Sequence, residues 1–178
     1  MNKSMIESKA NETLNKAQLN KQTDTIDVIK VAKELGFVVG NAGLDDDIDG
    51  FIIIEKGKKE LLGKKTDRII GVNASKELTW KRFIIAHEIG HYVLHYNEKE
   101  NNGMYAHREH KKGKDDKENE ADFFAANLLM PREAFTNRFN ELKQKNLTTE
   151  EIIVLLADKF CVTHIMAERR LRELEINA

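Results

Sequence analysis

The chain has 178 residues, 40% of them apolar and 33% charged, enough to bury roughly 70% of its unfolded surface around one core. Its 29 basic and 30 acidic side chains leave a formal net charge of −1, which excludes a global field that would draw in nucleic acid or an anionic membrane. The single cysteine, Cys161, excludes an internal disulfide, no uncharged apolar run approaches the roughly 20 residues that span a bilayer, and MNKSMIESK carries no signal-peptide pattern, so the expected compartment is the reducing cytoplasm.

Residues 1–24 read as a polar N-terminal arm or accessory helix, with no apolar stripe wide enough to bury. Asp24 to Phe37 then places Ile26, Val28, Ile29, Val31, Ala32 and Leu35 before Gly36, a short amphipathic helix with its stop signal. DGFIIIEKG and DRIIGVNAS are β-branched runs bounded by Gly, Asp and Asn, which predict two strands adjacent in one small sheet. From Thr79 the run WKRFIIAHEIGHYVLHY is too long for a strand and predicts a buried helix. The lysine-rich stretch 97–117 follows, with Tyr105, His107, Arg108 and His110 on a solvated loop or edge strand. Residues 118–130 are helical again and end before the only proline, Pro131. Thr148-Thr149-Glu150-Glu151 opens a capping-box helix to about Lys159, and after a turn at Phe160-Cys161-Val162, Thr163 caps another through Leu174.

That last pair of helices has the outline of a helix-turn-helix. However, the turn carries Cys161 where glycine is usual, and Arg169, Arg170 and Arg172 alternate with Glu168, Glu173 and Glu175, so no clean basic face forms. The segment is expected to pack on the core, with partner docking as the next reading; direct nucleic-acid binding is not expected. The domain division read from sequence is therefore an arm over 1–24, a main domain over 25–145 and a helical segment over 146–178.

The chemistry centres on His87-Glu88-Ile89-Gly90-His91. One helical turn separates the two histidines on one face, so both imidazoles can converge on one ion. Glu88 projects about 100° further round the helix, beside the ion rather than on it, where a carboxylate can act as general base toward a water acidified by the metal. A chance occurrence of the pentapeptide is countered by its setting between FIIA and YVL, an apolar helix on which unpaired imidazoles would be costly. A catalytic zinc takes three protein ligands. A histidine six residues after His91 would be one solution, but Asn97 stands there. His95 continues the same face, yet three ligands at four-residue steps span about 12 Å, too far to share an ion. The third ligand is then expected from the later helix. Glu118 is preferred, because Asp122 one turn on could accept the free N–H of a ligating histidine; Glu120, on another face, is the alternative ligand.

FIIAHEIGHYVLH, then a polar loop, then ENEADFFAANLLMP resembles the ImmA/IrrE family of metallopeptidases, minimal relatives of the gluzincins. The matching parts are the apolar lead into HExxH, His95, the E-x-x-A-D/N-x-F-A segment and the L-L-M-P ending, over about residues 66–135. The resemblance implies an α+β, zincin-like core: a small mixed sheet on the HExxH helix, a second ligand-bearing helix, and C-terminal helices. It also implies one Zn2+ per chain and an intracellular endopeptidase that cuts and inactivates a specific protein, typically a helix-turn-helix transcriptional repressor encoded beside it on a mobile element. The alternative from another class is a non-proteolytic, metal-containing regulator that binds a repressor or DNA. The retained Glu88 favours the peptidase, since closed structural zinc sites use Cys and His throughout. Imidazole and carboxylate also suit manganese or iron.

Overall fold

The computed structural model describes residues 1–61, 63–97, 103–109 and 116–176. Within them lie seven helices and four strands: α1 (Lys3–Lys16), α2 (Val28–Glu34), β1 (Val38–Ala42), β2 (Ile48–Leu61), β3 (Lys64–Asn73), α3 (Leu78–His95), β4 (Gly103–Glu109), α4 (Asp116–Leu129), α5 (Arg132–Lys143), α6 (Thr149–Phe160) and α7 (His164–Glu173). None of these helices is long and apolar enough to cross a membrane.

The two predicted strands are neighbours, as the sequence implies: β2 and β3 run antiparallel and pair Ile52 with Ile70 and Ile53 with Ile69. β1, not among the predicted elements, joins β3 in parallel, and β4 lies antiparallel to β2, which makes a mixed sheet in the order β1-β3-β2-β4. Alternation puts Ile52, Ile54, Ile70 and Val72 on one face, all buried in the cluster that also holds Ile84, Ile85 and Ile89 of α3. The sheet thus serves as a floor for α3, and the molecule is α+β.

Local chemistry sets the element ends. Gly36 has φ +83°, and the amides of Gly36 and Phe37 reach back to the carbonyls of Lys33 and Ala32, the paired bonds of a Schellman stop. Thr148 forms the full capping box with Glu151, and the Thr163 hydroxyl accepts from the Met166 amide. Pro131 sits at the N-cap of α5, a helix absent from the sequence reading, which buries Phe135, Phe139 and Leu142 and sets Phe135 5.1 Å from Phe160 of α6.

Residues 1–24 overturn the expectation that this stretch has nothing to bury. Ile6, Ala10 and Leu14 of α1 and Ala17 at its C-cap follow one another at helical spacing and are at most 2% exposed. Thr13, 4% exposed, lies beside Leu14 on the same face, so the stripe is narrow and partly built of small residues, yet it is buried against a neighbour. That neighbour is α4, which lies between α1 and α3. Contact on both sides explains why every residue from Ala121 to Leu129 is buried.

Candidate metal centre

α3 carries His87 and His91 on its face toward α4, with ring centroids 4.6 Å apart. The two helices approach unusually closely there. A Cβ on Gly90 would meet the Ala121 carbonyl oxygen at 3.1 Å and its Cα at 3.2 Å. Gly90 therefore lets the α4 backbone lie directly against the pentapeptide, and Ala121 stands between Glu118 and Asp122. The consequence is convergence. One Glu118 carboxylate oxygen lies 3.2 Å from His87 Nε2, and the other lies 3.0 Å from His91 Nε2. The two Nε2 atoms are themselves 2.9 Å apart, and Asp122 Oδ1 is 2.9 Å from His87 Nδ1.

Whether these groups suit a cation follows from their protons. A carboxylate can only accept, so the bond to Asp122 puts the proton of neutral His87 on Nδ1 and leaves Nε2 as a lone pair. That lone pair faces His91 Nε2 and the Glu118 carboxylate across a few ångströms, a gathering of acceptors that a proton on His91 Nε2 or a bound cation can bridge. His87, His91 and Glu118 each offer one ligand atom, all within 4.8 Å of one another, and two imidazoles with one carboxylate form a donor set of catalytic zinc sites. Protons can supply positive charge there in place of an ion. Burial works to raise the Glu118 carboxyl, but when His87 and His91 are protonated their hydrogen bonds and charge outweigh it and hold the carboxyl well below the usual carboxylate range.

Sequence comparison agrees with this geometry: the family model for the IrrE N-terminal-like domain, a peptidase family, matches residues 46–172. The chain belongs to that family. It is a metallopeptidase of the IrrE type, with a protein as its class of substrate. No curated protein is significantly similar to it.

Within the peptidase the other predicted residues fall as follows. Glu88 is fully buried next to His87. Glu120 lies away from the two imidazoles; it pairs with the Met1 amine and sits 3.8 Å from His95 Nε2. His95 Nε2 is also 3.3 Å from the Lys117 carbonyl oxygen, so it joins the end of α3 to the start of α4. Tyr105, His107 and Arg108 occupy β4, where His107 pairs in register with Phe51; His110 lies outside the described residues.

Two features of the site region were not read from sequence. The first is Arg170. It is 1% exposed, its Nε donates to the Met130 carbonyl at 3.0 Å, and its Nη2 donates to Asn127 Oδ1 at 2.8 Å. Burial lowers its pKa to about 10, which leaves it charged at neutral pH. This cation fastens α7 to the end of α4. Its neighbours Arg169 and Arg172 pair with Glu173 and Glu168 on the surface, so nothing in the local pattern singles Arg170 out. The second is a cavity of about 610 Å³ beside Asp122, walled by α3, α4 and α7.

Proposed function

We propose that the chain is an intracellular endopeptidase that cuts and inactivates one specific protein, a helix-turn-helix repressor, and that its working ion is zinc. The observation that carries this reading is the convergence of His87 Nε2, His91 Nε2 and both oxygens of Glu118, with His87 Nδ1 engaged by Asp122. His87, His91 and Glu118 would hold the ion, which when bound polarises the scissile carbonyl and makes water acidic enough to attack near neutral pH. Glu88 accepts the proton of the attacking water and delivers it to the departing amine. Asp122 holds the His87 ring in the tautomer that keeps Nε2 available. β4, at the end of the strand order, offers an edge on which an extended substrate adds as a further strand. The arm over 1–24, peptidase domain over 25–145 and helical segment over 146–178 remain the proposed division, with α1 now a docked part of the first. The cytoplasm is the proposed compartment, where one free cysteine stays reduced.

The test is metal content of the purified protein, wild type beside Glu88→Gln and Glu118→Gln, together with cleavage of the helix-turn-helix protein encoded nearest to it. About one zinc per chain in wild type and Glu88→Gln, loss of it in Glu118→Gln, and cutting by wild type alone is the expected result. Equal action of wild type and Glu88→Gln on the partner would remove the proteolytic step and leave a binding regulator.

A further inference from the structure

The cavity beside Asp122 has a composition that the metal centre does not require. Trp80 and Phe83 of α3, Ala126 and Met130 of α4, and Ile165 and Met166 of α7 line it. Trp80 and Phe83 stack with ring centroids 5.5 Å apart, one turn before the metal-binding turn of α3. Phe83 precedes His87 by four residues, and the two rings are 6.4 Å apart. Asp122 therefore touches both places: it lines the cavity and bonds His87 Nδ1 at 2.9 Å. Asp122 and Phe83 thus set the cavity against the His87 end of the metal-binding turn.

The charges around it argue against an ionic occupant. Lys76 also lines the cavity but pairs with buried Asp49 at 3.0 Å, and Arg169 pairs with Glu173 at 3.0 Å. Both cations are engaged with the protein's own acids, and Glu77, also on the wall, would repel an anion; apart from Ser75 and Thr163, the rest of the lining that meets a ligand is aromatic, aliphatic and thioether. A volume of about 610 Å³ is within the range of about 300–1,000 Å³ typical of small-ligand clefts, roomy enough for one large side chain and the main chain beside it. Ile165 is 71% exposed at the α7 wall, where an entering group would cover it.

We infer that this cavity is a specificity subsite that receives a large apolar side chain next to the scissile bond, and that α7, fastened by Arg170, is its selective wall. The inference rests on the peptidase reading and adds the class of residue it cuts beside. It also gives the C-terminal helices a role in choosing the substrate.

Trp80 is the only tryptophan, so its fluorescence reports occupancy of the cavity without any turnover. The probes are blocked pentapeptides, Ala-Ala-X-Ala-Ala with X as Phe, Leu, Ala or Asp, titrated into zinc-loaded Glu88→Gln protein. The Phe and Leu peptides are expected to shift Trp80 emission saturably and to bind at least about tenfold more tightly than the Ala peptide, with Asp weaker still. Ile165→Asp, at an exposed position that folding tolerates, and Ala126→Phe, which fills the cavity, should each remove that preference while metal content stays unchanged. Emission that responds equally to Phe and Ala peptides, or a preference untouched by both substitutions, overturns the subsite. Wild type assayed on the same peptides separates the two claims. Selective binding, with neither these peptides nor the helix-turn-helix protein cut by wild type, defeats the peptidase reading and leaves the apolar receptor standing. Cleavage indifferent to X leaves the peptidase and defeats the subsite.

Discussion

At the scale of single residues, the proposed centre gives each polar atom one task. His87 uses Nδ1 toward Asp122 and Nε2 toward the ion site, and Glu118 splits its two oxygens between the two imidazoles. Asp122 is 2% exposed, so its carboxylate is held in place and its bond to His87 is shielded from water. Asp122→Asn keeps the volume but can present an N–H to the ring and favour the wrong tautomer. Metal affinity, measured by competition with a chelator, should fall by about 10–100-fold with the fold intact. Unchanged affinity would make Asp122 a packing residue of α4 and nothing more. The acids one turn apart were legible in the sequence as a pair. Which acid meets the imidazoles is a matter of facing: Glu120 points from α4 toward Met1 and His95 instead.

At the scale of elements, packing between helices places the chemistry. Gly90 brings the backbone of α4 within reach of both histidines, and the two walls of α4, α3 and α1, leave it no freedom to drift. The sequence marks Gly90 only as an exception in a helical run; its reason appears when Ala121 is seen against it. The turn between α6 and α7 offers the opposite case. Cys161 stands in the left-handed region at φ +51°, where the Val162 amide closes on the Ala157 carbonyl and the helix ends. A residue with a Cβ costs about 1–2 kcal/mol there, and glycine returns part of that through its larger unfolded-state freedom. Cys161→Gly is thus expected to stabilise the protein by about 0.5–1 kcal/mol in chemical denaturation. A loss of stability would mean that the half-buried thiol packs usefully enough to outweigh the strain. The departure from glycine noted in the sequence is, on this view, a tolerated strain in an otherwise ordinary helix stop.

At the scale of the whole molecule, the N-terminal helix joins the body through apolar contact and a charged tie. Arg132 at the start of α5 donates from Nε to Glu7 at 2.8 Å and from Nη2 at 3.2 Å. The hydrogen bond from Arg132 lowers the Glu7 pKa from its ordinary 4.5, although partial burial opposes it. A carboxyl depressed in the folded state adds stability above its unfolded value, and that contribution is lost as pH falls through the folded value. Wild type should therefore exceed Glu7→Gln by less than about 1 kcal/mol at neutral pH, with the gap closing under acid below the ordinary carboxyl range. Paired urea melts across pH would show it, and a gap independent of pH would assign the effect to packing.

By itself the sequence determined the parts whose signals are local. These are the β2 and β3 strands from their β-branched runs, the HExxH helix and its donor chemistry, the acid pair on the next helix, and the caps at Gly36, Thr148 and Thr163. Periodicity and capping act over a few residues, so they survive in the linear text. Only the tertiary structure decided that the polar start folds onto α4, that Gly90 is a contact point, that Arg170 is buried between the Met130 carbonyl and the Asn127 side chain, and that a cavity opens beside Asp122. Each of those depends on which surface meets which across more than thirty residues of chain, and a stripe of alanine or one arginine among several carries no such address until the helices pack.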